Sequence, residues 1–342
     1  MKRQGTFPFT AIIGQDTMKK ALVLNVVNPK LGGVLIQGEK GTAKSTAVRA
    51  LADLLPPRKC IKGCRFHCDP DDRANWCDEC HEKYDHEEPP VEMLPMKVVE
   101  LPVSATEDRV VGTLDIEAAI REGKRSFETG ILADANRNIL YVDEINLLDD
   151  HVVDVLLDSA AMGINTVERE GISYSHPARF SLVGTMNPEE GDIRPQLLDR
   201  FALSVKVVGE QDSEKRAEII KRRLAYEADP EPFLEQWKDE QAKEVRRIER
   251  AMKLLPQVTA SNDILLLAAK ISITLGVDGH RADITLIKTG ETIAAVAGHT
   301  EVTKEDIREA SRLALPHRMR RRPFEEQTLD WTEVAKVIDD EA

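Results

Sequence analysis

Aromatic residues are scarce in this 342-residue chain, 4% of the total. A core short of large rings must be built from Leu, Val, Ile and Ala, which suits an α/β protein better than an all-β one. No run of about 18 apolar residues occurs, so no ordinary membrane-spanning helix is expected. The opening stretch, MKRQGTFPFTAIIG, lacks the apolar centre of a secretory signal. Positive charge is also in deficit: 47 Lys and Arg stand against 60 Asp and Glu, a net charge of −13. Sequence-independent attachment to DNA or RNA is therefore not expected. Cysteine is rare, and its five residues all fall between positions 60 and 80. An odd number so crowded is no secreted disulfide frame. Internal repeats and low-complexity stretches are absent as well. These absences together predict a cytoplasmic protein with neither membrane nor nucleic-acid partners.

What is present is enough apolar residue, 42%, for a sizeable core, and enough length for about two domains. Short apolar runs at 32–38 (GGVLIQG), 98–102 (VVELP), 138–144 (NILYVDE) and 180–188 (FSLVGTMNP) read as strands separated by helical stretches. Strands that apolar predict a parallel sheet covered on both faces. Residues 112–130 read as an insertion, and 163–180 as a hairpin turning near Glu170–Gly171. From about 212 the chain becomes charged and helical, broken only at Pro230 and Pro232. A later helix opens on a capping signal, Thr303 three residues before Asp306. We place a boundary near 208, giving an α/β domain at 1–208, with a Cys-rich insert at 60–81, and an all-helical domain at 209–342.

The segment LIQGEKGTAKSTAVRAL, 35–51, carries the phosphate-loop pattern G-x-x-x-x-G-K-[ST] with Ala43 at its second glycine. It follows a strand and opens a helix, as such a loop requires. Its candidate binding residues are Gly38, Glu39, Lys40, Gly41, Thr42, Ala43, Lys44, Ser45 and Thr46. Lys44 would serve the β/γ-phosphates and Ser45 a Mg²⁺ ion. Ala43 keeps the backbone N–H that cradles phosphate but loses easy access to positive φ. At negative φ the change is harmless; at positive φ it is strained.

At the end of the 138–144 strand, Asp143 would hold the Mg²⁺ shell and Glu144 would polarise the attacking water. Asn187, at the end of the next strand, either orients that water or marks an ordinary Asn-Pro turn. Arg200 either caps a local acid such as Asp199 or reaches the γ-phosphate of a neighbouring subunit. Arg281 is either a second γ-phosphate sensor or a surface arginine near Asp278 and Asp283.

The set FTAIIGQD, GEKGTAKSTAVRALADLLP, ILYVDEINLL, LVGTMNPEEGDIRPQLLDRF and VDGHRADI, in this order, resembles the ATPase subunit I of magnesium chelatases. These are AAA+ proteins with a helix-2 insert and a pre-sensor hairpin, and the likeness spans about residues 10–320. It implies an AAA+ P-loop NTPase core followed by a helical lid. It also implies a hexameric ring that hydrolyses ATP to drive insertion of Mg²⁺ into a tetrapyrrole. The implied partners are copies of itself, an AAA+ subunit with an integrin-like domain, and a large porphyrin-binding subunit. Under the resemblance, Arg200 matches the arginine finger and Arg281 the second sensor; 112–130 and 163–180 match the two inserts. No D-x-S-x-S metal-adhesion motif follows the helical domain, which favours subunit I over its AAA+ partner.

Two features depart from the family pattern: Ala43, and the cysteines. Cys64/Cys68 and Cys77/Cys80 form two pairs able to close one site of four thiolates, for a structural Zn²⁺ or an iron–sulfur cluster. Cys60, His67 and His81 are spare or alternative ligands. The basic run HRMRRRP at 317–323 reads as a solvated helix end, with a subunit or nucleic-acid contact as alternatives. Two other functions are alternatives: a MoxR-like protein-remodelling ATPase, and a helicase or transcription activator. The acidic balance and the lack of a DNA-binding domain argue against the last.

Overall fold

Eleven strands and their connecting helices are seen in the computed structural model, which describes residues 5–115, 126–169, 172–277, 279–318 and 331–339. In chain order the strands are β1 (Val34–Gly38), β2 (Arg58–Ile61), β3 (Val91–Leu94), β4 (Val98–Leu101), β5 (Gly112–Asp115), β6 (Ser126–Thr129), β7 (Ile139–Val142), β8 (Ile164–Arg169), β9 (Ile172–Pro177), β10 (Ser181–Met186) and β11 (Leu203–Val207). Five of them form one sheet in the order β11-β1-β10-β7-β4, every pair parallel.

Successive side chains of a strand point to opposite faces. Here both faces are apolar and feed different cores. Val34, Ile36, Ile139, Tyr141 and Val183 pack into one, and Leu35, Leu140, Val142 and Leu182 into the other. Each such buried aliphatic contributes about 1.5–3 kcal/mol. The first core continues through Ile248, Leu267, Leu286 and Ile307, so sheet and helical region share one apolar interior. The second holds the cysteine segment and the helix Asp150–Met162.

After β11 the described chain is helical: Ser213–Ala228, Pro230–Leu254, Asn262–Thr274, His280–Ala297, Lys304–Ala314 and Trp331–Asp339. Thr303 and Asp306 form a reciprocal capping box. The two prolines do not each break a helix. The break is at Asp229, and Pro230 and Pro232 lie in the first turn of the next helix, where a missing N–H is no loss. The hairpin expected at 163–180 is β8 paired with β9, its turn at 170–171 lying outside the described residues. The insertion at 112–130 is the pair β5–β6, whose tip is likewise outside them.

Three strands were not foreseen. β11 has only five residues, two of them Ser204 and Lys206, because it is a sheet edge. Lys206 is exposed there, and charge on an edge strand discourages further pairing. β2 and β3 pair antiparallel on either side of the cysteines; Arg58 and Lys59 hide that pattern.

The basic run is not a solvated helix end where it is described. Arg318 is buried, and its guanidinium donates to the carbonyls of Asp199, Phe201, Ala202 and Ala314. His317 Nε2 meets Phe201 O at 2.8 Å. A guanidinium so used is not available to nucleic-acid phosphates. Residues 319–323 lie outside the described residues.

Candidate functional site

β1 ends at Gly38, where an added Cβ would stand 2.2 Å from Val207 O. Only glycine lets β1 and β11 approach this closely. The chain then turns through Glu39 and Lys40 and, at φ 84°, Gly41. Thr42 Oγ1 donates to Glu39 O at 2.8 Å and steadies the turn. Ala43 follows at φ 60°, ψ 20°, directly before the helix Lys44–Ala52. This is the strained alternative. A left-handed conformation costs an L-residue with a Cβ about 1–2 kcal/mol, and the loop keeps its shape despite that.

Lys44 Nζ folds back onto Gly38 O and Glu39 O, the latter at 2.9 Å. Burial pulls its ammonium below the usual lysine value, opposed by the charges of Asp143, Glu190 and Glu144. Those acids reach the loop because β10 lies next to β1 and β7 next to β10, all three running parallel. The C-terminal ends of all three strands therefore meet on one edge, the usual place for a ligand in such sheets.

At that edge Asp143 Oδ1 accepts from Tyr141 Oη at 2.9 Å and from Thr185 Oγ1 at 2.5 Å. Two hydroxyls thus orient one carboxylate, and burial pushes the Tyr141 phenol well above its ordinary value. Sequence reading passed over both residues. The signal for Tyr141 was the two-residue spacing that puts it on the same strand face as Asp143; Thr185 carried none. Glu144 is left-handed, φ 52° and ψ 50°, with its N–H 3.3 Å from Thr185 Oγ1. Lys40 Nζ spans the mouth, 2.6 Å from Glu190 and 3.6 Å from Glu144.

A cleft of about 530 Å³ is lined by Lys40, Lys44, Ser45, Asp143, Glu144 and Asn187 together with the intervening loop, including Gly41, Thr42, Ala43 and Thr46. Asn187 also caps the turn Pro188–Glu190, accepting from Glu189 N at 3.3 Å, as the Asn-Pro turn reading expects, while it lines the cleft. Ser45 and Asp143 bring a hydroxyl and a carboxylate to one cleft, the hard oxygen donors Mg²⁺ takes. A second, more apolar cavity of about 360 Å³ shares Gly41, Thr42, Ala43 and Thr46 and adds Phe7, Ile12, Ile13, Arg216 and Arg223. It continues the loop toward the start of the helical region and was not foreseen.

Neither arginine lies in the cleft. Arg200 Nη1 pairs with Asp154 at 2.7 Å and Asp158 at 2.8 Å, not with its neighbour Asp199. Arg281 Nη1 pairs with Asp199 Oδ2 at 2.9 Å, across from the helical region.

Two family models match parts of the chain: an AAA domain of the dynein-related subfamily at 92–201, and an AAA lid domain at 266–340. The magnesium-chelatase subunit ChlI homolog of Methanocaldococcus jannaschii is 56% identical over 340 residues, covering 99% of this chain and 93% of that protein. The chain belongs to the magnesium-chelatase ChlI/BchI family. The ChlI subunit of Synechocystis is 51% identical over 94% of this chain and 91% of its own length. A solved complex of the magnesium-chelatase subunits BchI and BchD contains a chain 48% identical, with a TM-score of 0.55, covering 93% of this chain and 97% of that one. Among the described residues no helix is long and apolar enough to cross a membrane.

Within this ChlI/BchI-type frame the cysteine segment brings a second set of candidate ligands together. The Sγ atoms of Cys64, Cys68, Cys77 and Cys80 all lie within 4.8 Å of one another, a group that could hold a metal ion. Cys60, His67 and His81 are not in that group. Cys60 is buried elsewhere, its Sγ 3.8 Å from Arg58 O and 3.7 Å from Arg137 Nη1.

Proposed function

We propose that the chain is the ATP-hydrolysing motor subunit of a magnesium-chelatase-type assembly, driving insertion of a divalent metal, Mg²⁺ foremost, into a tetrapyrrole. The observation that carries this is the convergence of Lys44, Ser45, Asp143 and Glu144 on one cleft. In this reading the loop N–H groups and Lys44 bind the β/γ-phosphates of ATP, and the smaller apolar cavity takes the nucleoside. Ser45 and Asp143 hold Mg²⁺, which when bound neutralises charge on the phosphates. Glu144 acts as base toward the attacking water, and Asn187 helps to place that water. Lys40 leaves Glu144 when nucleotide enters, freeing the carboxylate for this role.

Neither Arg200 nor Arg281 lies in the cleft of its own chain, which favours a ring in which Arg200 completes a neighbour's site. The solved BchI–BchD complex supports a second AAA+ chelatase subunit as partner, and a porphyrin-binding subunit completes the assembly. The four-cysteine group holds a metal ion. Lys44→Ala should abolish ATP hydrolysis; turnover within a few-fold of wild type would remove the site assignment.

A further inference from the structure

The cysteine segment lies on the face of the sheet opposite most of the helical region, in the core shared with the hairpins. All four Sγ atoms within 4.8 Å, with Cys64 to Cys77 at 3.8 Å, is the spacing of one ion. Zinc–thiolate bonds of about 2.3 Å arranged tetrahedrally put the sulfurs about 3.8 Å apart. A cluster instead gives each thiolate, or each pair, its own iron and spreads the sulfurs more widely. Cys77 N donates to Cys68 Sγ at 3.2 Å, the kind of outer contact that orients a metal-bound thiolate.

The residues between the cysteines are bonded to separate parts of the molecule. Arg65 Nη1 donates to Phe127 O of β6 at 2.9 Å. Phe66, fully buried, stacks on His176 of β9 at 4.6 Å, and Phe127 stacks on Tyr174 of the same strand at 4.3 Å. Arg137, just before β7, donates to His67 O at 3.2 Å and pairs with Asp69 at 2.8 Å. Arg179, just before β10, pairs with Asp72 at 3.3 Å. One short loop therefore touches both hairpins and the starts of the two strands whose far ends carry Asp143 and Asn187.

We propose that Cys64, Cys68, Cys77 and Cys80 bind a single zinc ion, and that this knuckle is the anchor fixing the hairpins β5–β6 and β8–β9 to the N-terminal edge of β7 and β10. The inference rests on the metal reading of the four thiolates given above, and it adds the ion's identity and its mechanical role. Without the ion nothing ties the four sulfurs together, and the loop that presents Arg65 and Phe66 loses its closure. The hairpins then lose their shared support, while the nucleotide loop, built on β1, keeps its own.

The test uses the full chain. Elemental analysis should find one zinc per chain, released by an organomercurial thiol reagent and detected with a zinc-binding dye. Hydrogen exchange at 126–129 and 172–177 should then become at least about tenfold faster, while exchange in the Lys44–Ala52 helix and binding of a fluorescent ATP analogue change little. Cys77→Ser should lose the zinc and reproduce the faster exchange. Should Cys77→Ser fail to fold, reagent release from wild type still decides. Cys60→Ser should keep the zinc. Iron in place of zinc, no metal at all, zinc lost from Cys60→Ser, or unchanged hairpin exchange after release would each overturn the proposal. An inactive ATPase that retains zinc would sink the motor reading and leave this one standing.

Discussion

Arg281 and Asp199 are bonded across the helical region and the sheet domain, Nη1 to Oδ2 at 2.9 Å. Arg318 Nε lies 3.3 Å from the other oxygen of the same carboxylate. One acid thus receives two arginines from the helical region, and the next residue in the chain is Arg200. The helical region is tied in this way to the residue directly before the proposed finger. Asp199→Asn should lower stability to urea by about 2 kcal/mol, the worth of charged hydrogen bonds at a half-buried site. It should also lower kcat more than it changes KM for ATP. A variant as stable and as fast as wild type would show that the link carries no load.

His317 supplies a pH dependence. Burial and the neighbouring Arg318 hold its pKa down to about 3, against about 6.5 for an unfolded histidine. Below pH 6.5 the unfolded chain takes up a proton that the folded chain refuses. Stability is therefore full above that pH and falls as pH drops toward 3, by about 1 kcal/mol per pH unit. His176, also depressed by burial, adds to the slope. His317→Gln should flatten part of the decline between pH 6 and 4 in thermal or urea unfolding. An unchanged slope would mean that His317 is protonated without penalty in the folded protein.

Ala43 sits where glycine is favoured. Ala43→Gly should remove the left-handed strain, offset by the greater freedom of glycine in the unfolded chain. The net expectation is a gain of up to about 1 kcal/mol with ATP hydrolysis retained. A loss of stability would indicate that the alanine methyl packs against something worth more than the strain.

A site shared between chains has a distinctive signature. Glu144→Gln and Arg200→Ala should each be inactive alone, and their mixture should regain ATP hydrolysis because some interfaces then combine an intact Glu144 with an intact Arg200. Silence in the mixture, with wild type active, would mean that each site is completed within one chain.

Phe66 tests the packing beneath the hairpins. Phe66→Ala should cost about 3–5 kcal/mol, the range for emptying a buried aromatic site, and thermal unfolding reads it directly. A drop below 1 kcal/mol would show that β9 closes over the gap.

Sequence alone determined the candidate groups wherever their spacing is local. The phosphate loop spans eight consecutive residues, the two acids sit side by side at a strand end, and the cysteines come in two close pairs. Spacing along the chain suffices in such cases, because a turn or a single strand end brings the groups together. The apolar runs that form β1, β4, β7 and β10 were legible for the same reason: both of their faces are buried. The tertiary structure decided the rest. It set the sign of φ at residue 43, which depends on how the loop must join β1 to its helix. Thr185 came to Asp143, and Arg318 and Arg281 to Asp199, across 42, 119 and 82 residues, and no local spacing encodes such partnerships. Likewise Arg65 and Phe66, unremarkable in a polar cysteine-rich loop, join two hairpins only because the folded sheet brings β6 and β9 to the same place.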